Sequence, residues 1–155
     1  MKIPMKKILF LIAIMSISTF CKGQEDQLGP VVSMEYKIRS SWEMYPILHF
    51  LLKQDENGYR LTNATGCDEN EAPSIAVPDS FAEQIKQIVL EEKMLSYKRD
   101  YQPPFQVLDG ESWNIYIRFA GSKKSVYSSG YMEHPDGDGL KRIEQLCEQQ
   151  WKSKK

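Results

Sequence analysis

From Val32 the chain alternates cleanly: Val32, Met34, Tyr36 and Ile38 are apolar, while Ser33, Glu35, Lys37 and Arg39 between them are polar. A period of two places the two sets on opposite faces, the signature of a half-buried strand. Two further runs, Ile47 to Lys53 and Tyr59 to Ala64, flank Asn57-Gly58, which supplies the positive backbone angles of a tight hairpin. Thr65 to Val77 reads as a loop broken by Pro73 and bounded by Pro78. The period then lengthens. Phe81, Ile85, Ile88, Val89 and Leu95 recur at helical intervals, and Ser80 with Glu83 has the spacing of a capping box.

Pro103-Pro104 marks a connector, after which Gln106 to Leu108 and Ser112 to Ala120 flank an Asp109-Gly110 turn. Trp113, Ile115, Ile117 and Phe119 repeat the alternating apolar face, and Ser125 to Gly130 returns as its hairpin partner. Leu140, Ile143, Leu146, Cys147 and Trp151 share one side of a last helix that Asp138 is placed to cap. The order predicts an α+β fold: an antiparallel sheet of about five or six strands with two amphipathic helices on one face. Each half has a strand, a hairpin and a helix, so two ββα-type halves are expected.

The first 23 residues follow a different pattern. Lys2, Lys6 and Lys7 precede a largely apolar stretch from Ile8 to Phe20, and Cys21-Lys22-Gly23 ends it. This reads as a secretory signal peptide, because the stretch is shorter than the roughly 20 residues needed to span a bilayer. No transmembrane span is expected. Residues 24–30 form a flexible leader, 31–151 a single domain, and 152–155 a basic tail. Two cuts compete. Cleavage after Gly23 leaves a soluble protein in the periplasm or at the cell surface. Cleavage before Cys21 gives a lipid-anchored protein, since Ser18-Thr19-Phe20-Cys21 resembles a lipobox apart from the bulky Phe20.

Either cut removes Cys21 from the pairing arithmetic and leaves Cys67 and Cys147, which are available as one disulfide or as a free thiol and a small core residue. Removing residues 1–23 takes four lysines and no acid, leaving 16 basic groups against 21 acidic ones. A mature domain with this acidic balance is a poor partner for nucleic acid.

Candidate chemistry is sparse. The two histidines, His49 and His134, exclude a three-histidine metal site. His49 lies within a hairpin strand. His134 lies in a loop beside Glu133, Asp136 and Asp138, carboxylates able to orient an imidazole. Asp136-Gly137-Asp138-Gly139 begins like a calcium loop, but Cys147 stands where an EF-hand requires its glutamate. Asp68-Glu69-Asn70-Glu71 reads as a solvated acidic loop, and no residue set calls for a metal or a cofactor. Serine elbows, phosphate-binding glycine loops and Cys-x-x-Cys pairs are missing from the sequence. No catalytic residue is assigned. Aromatic residues are more informative: Tyr116 and Tyr127, paired across the second hairpin on the face away from the helices, would with Tyr131 and His134 form a ligand or partner surface.

Leu108-Asp109-Gly110-Glu111-Ser112-Trp113, then Ser128-Ser129-Gly130-Tyr131 and Pro135, resemble a pattern in small uncharacterised exported bacterial proteins, across roughly the C-terminal third. That resemblance implies an exported protein and carries no activity. The expected function is non-catalytic binding of an envelope protein or surface ligand. The alternatives are a protein inhibitor or immunity factor, and a small enzyme using His134 and its neighbouring carboxylates.

Overall fold

A computed structural model describes residues 28–154, so the expected signal peptide, both candidate cleavage points and the lipidation candidate Cys21 lie outside the described residues. The fold is α+β. Seven strands make one sheet: β1 (Val31–Ser40), β2 (Leu48–Asp55), β3 (Gly58–Asn63), β4 (Ser74–Val77), β5 (Asp100–Tyr101), β6 (Glu111–Phe119) and β7 (Ser125–Tyr131). Their spatial order is β4-β3-β2-β1-β6-β7-β5, antiparallel throughout except for the parallel β5–β7 pair. Helices α1 (Asp79–Glu91) and α2 (Gly139–Lys152) pack against each other, α1 over β1 and β3 and α2 over β3.

Strand register explains why the core lies on one side. Met34 pairs with Leu52 and Ile117, and Tyr36 with Phe50 and Ile115, so the period-two apolar sets stack in rows beneath the helices. Phe81, Ile85 and Val89 of α1 and Ile143 and Cys147 of α2 close over those rows and are essentially removed from water. Burying such side chains stabilises the fold by about 1.5–3 kcal/mol each, and this outweighs helix propensity here. A register shift between Val31 and Ser33 turns Val31 into the core and leaves Val32 half-buried. Tyr59 closes the same corner by donating to the Val31 carbonyl at 2.6 Å.

Several local expectations are corrected. Ser74–Val77 is an edge strand rather than loop, because β3 offers it a free row of backbone groups. The Pro103-Pro104 connector is preceded by the two-residue β5, while Gln106 to Leu108 forms no strand. Pro78 is the α1 N-cap, without a side-chain cap bond, and Ser80 already lies inside the helix. Asp138 occupies the α2 N-cap position, yet its side chain makes no cap bond. The Glu92 carboxylate from the end of α1 instead accepts from the Asp138 amide at 3.2 Å and from Arg142 Nη1 at 2.7 Å. Arg142 Nη2 also reaches Glu91 Oε2 at 2.6 Å, fastening the start of α2 to the end of α1. Hydrogen bonds from Arg142 and the Asp138 amide hold the Glu92 carboxyl below its ordinary range.

Of the two arrangements open to Cys67 and Cys147, the structure carries them as free thiols. Cys147 is fully buried on α2 among core side chains, whereas Cys67 lies half-exposed in the loop after β3. Burial pushes the Cys147 thiol well up, so it acts as a small apolar core residue. The two halves meet at the β1–β6 pair, but β5 precedes its hairpin whereas β4 follows its own.

Candidate functional site

The helices leave the other sheet face open, and strand alternation places Glu35, Lys37, His49, Tyr116, Arg118 and Tyr127 on it. Tyr116 and Tyr127 are direct cross-strand partners, as expected, with ring centroids 5.9 Å apart and an edge-to-face angle of 81°. Tyr127 is 58% exposed, and the Arg99 guanidinium lies 5.5 Å from its ring centroid. The pair stiffens the hairpin and presents an aromatic surface with a cation beside it.

Tyr131 and His134 do not join that pair. Tyr131, at the far end of β7, has its hydroxyl beside Gly110. His134 stacks on Trp113 with centroids 5.8 Å apart and planes 15° from parallel, and Tyr101 packs against the same indole. Trp113 donates from Nε1 to the Glu133 carbonyl at 2.7 Å, which fixes the chain just before His134. Among the described residues, no hydrogen bond or ion pair joins His134 to Glu133, Asp136 or Asp138.

His49, set aside as a plain strand residue, is the buried titratable group of the open face. Its Nε2 lies 3.2 Å from Glu35 Oε1, and the Lys37 ammonium sits 2.8 Å from the same oxygen. The His49 backbone donates to Thr65 Oγ1 and accepts from the Ala64 amide, so the turn after β3 closes over it. Burial, then the nearby Lys37 charge, lower the His49 pKa despite Glu35. Burial alone would raise Glu35, but the Lys37 hydrogen bond and charge, with His49, hold its carboxyl below the ordinary range. The lowered His49 pKa favours the neutral imidazole and the lowered Glu35 pKa the carboxylate, which Lys37 also contacts, giving a satisfied polar network.

The largest departure from a solvated surface is at one end of the sheet. Antiparallel register brings the ends of β1 and β7 beside the starts of β2 and β6. There the β1–β2 loop exposes Trp42 and Met44 by 77% and 79%. The β5–β6 connection exposes Phe105 and Leu108 by 67% and 83%, and Met132 follows β7 at 49%. Two loops are tied together, since Ser41 donates to the Gly110 carbonyl from both its amide and its hydroxyl. Met132 reaches the same place, with its sulfur 3.3 Å from the Glu111 amide. Its backbone is left-handed, φ 59°, a conformation costing roughly 1–2 kcal/mol for a side-chain-bearing residue. Glu43, Asp109, Glu111 and Glu133, all exposed, lie in the same segments of the chain, as does exposed Arg39.

Sequence reasoning missed this end because no periodicity marks it. Its trace in the sequence was apolar residues inside segments of turn composition, Trp42, Met44 and Leu108, which burial alone identifies as uncovered. Neither a protein-family model nor a curated protein matches the chain.

Proposed function

We propose that this is an exported, non-catalytic binding module of the cell envelope whose apolar sheet end receives a protein partner. The observation that supports it most is the exposure of Trp42, Met44, Phe105, Leu108 and Met132 in segments at one end of the sheet, where Ser41 and Gly110 tie the β1–β2 and β5–β6 loops. Large apolar side chains gathered at loop tips mark interaction sites, and Trp and Met are favoured there. The carboxylates of these segments favour a partner with an apolar pocket edged by Lys or Arg, and disfavour an anionic bilayer. Tyr131 continues the surface toward Tyr116 and Tyr127 on the open face. An inhibitor or immunity factor is the same reading with an enzyme as partner, recognised by loss of that enzyme's turnover.

A photo-crosslinking residue placed at position 42 or 108 in the native envelope fraction tests the proposal. One adduct of defined mass at both positions, absent when the probe is at Gln87 on α1, is the expected result. Met44→Ser should then weaken the complex about tenfold or more, as for an interface anchor. Indiscriminate adducts at all three positions, or partitioning into phosphatidylglycerol vesicles instead, would overturn it.

A further inference from the structure

The opposite end of the sheet carries a second, chemically different feature. A cleft of about 360 Å³ opens at the β6–β7 hairpin, lined on its polar side by Tyr116, Arg118, Ser122, Lys123, Lys124 and Ser125. No Asp or Glu occurs anywhere between Ser112 and Met132, although the chain holds 21 acids. The β6–β7 hairpin is thus a basic segment of an acidic chain, with Glu35, opposite Tyr116, as a carboxylate on the same face. Register builds the basic lining: Arg118 stands between Ser33 on β1 and Ser125 on β7. Arg118 Nε donates to Ser33 Oγ at 3.1 Å, which orients the guanidinium by its inner edge. Among the described residues neither Arg118 nor Lys123 forms an ion pair. The Ser122 hydroxyl accepts from the Lys124 amide at 3.0 Å and fixes the turn.

We infer that this cleft binds a small organic anion, one carboxylate or phosphate group on a body the size of a monosaccharide. The oriented guanidinium and Lys123 supply charge-assisted donors for the anionic group. The serine hydroxyls suit a polyhydroxyl body, and the Tyr116 ring offers it a flat wall. The volume is at the small end of the ligand-pocket range, which matches one ring and does not match a polymer. This site lies at the opposite end of the sheet from the apolar surface and does not depend on it.

Amide and Arg side-chain NMR shifts of the full-length chain, titrated with glucose 6-phosphate, glucuronate and glucose at constant ionic strength set by NaCl, give the test. Saturable shifts confined to residues 116–125, with either anionic sugar and not with glucose, are expected. Arg118→Gln should raise the Kd about tenfold or more while leaving the thermal midpoint unchanged, and Lys123→Gln should act in the same direction. Phosphate-only or carboxylate-only binding would identify the anionic group. Equal shifts with NaCl or glucose, shifts spread over all surface lysines, or a response unchanged in Arg118→Gln would overturn the assignment.

Discussion

Residue identity matters most where a side chain has no alternative position, and His49 is such a place. Its folded pKa lies below its ordinary value of 6.5, so below that pH the unfolded chain binds more protons than the folded one. Stability is therefore lost as pH falls from about 6.5 toward the lowered folded value, and the depressed Glu35 adds a further loss lower still. His49→Gln removes the upper step and keeps a donor for Glu35. Urea midpoints measured at about pH 7.5 and about pH 5.5 should differ less in this variant than in the parent; an unchanged difference would show that His49 does not carry the acid sensitivity. Gly130 is constrained differently. A Cβ there would meet the Glu133 carbonyl and Trp113 Nε1, each at 2.5 Å. Gly130→Ala should accordingly destabilise the protein by about 1–3 kcal/mol through overpacking, read from the same urea curves.

Elements differ in how far the sequence reveals them. The strand at Met34 to Ile38, the Asn57-Gly58 hairpin, the Trp113 to Phe119 strand and both helices were legible because each carries its own period. Strands β4 and β5 were not, being four and two residues long. Their pairing is supplied by the free edges of β3 and β7, a property of the neighbours rather than of the segments. The open face was legible as polar, and the Tyr116–Tyr127 pairing followed from alternation alone. The His49–Glu35 contact was not, because it depends on the β1–β2 register setting Lys37 opposite His49 and Glu35 one step along. Helix capping also escaped, since Glu92 serves α2 across 46 residues of sequence. Arg142→Ala removes the clasp between the helix ends and should raise amide exchange first in the opening turn of α2, with β1 and β6 protected as before.

At the scale of the whole molecule, the core and the two proposed recognition surfaces use different side chains. The core is made of residues whose burial the helices complete, whereas Trp42 and Leu108 stand about four-fifths exposed and contribute little to it. The chain enters at the hairpin end, where the Pro30 carbonyl accepts from the Ala120 amide. The apolar surface lies at the other end of β6, nine residues or roughly 30 Å away along the strand. The first described residues thus lie beside the basic cleft, at the end of the sheet away from the apolar side chains. Such a division makes the two roles separable by mutation. Trp42→Ser with Leu108→Ser should leave folding stability within about 0.5 kcal/mol of the parent, as expected for exposed sites. Trp113→Ala should cost about 3–5 kcal/mol, and Ile117→Ala about 2–5 kcal/mol, by opening cavities beneath the helices. Denaturant unfolding of the three variants decides the matter: a large loss in the Trp42, Leu108 pair would mean that the apolar end is part of the core, and that its exposure is not the basis of recognition.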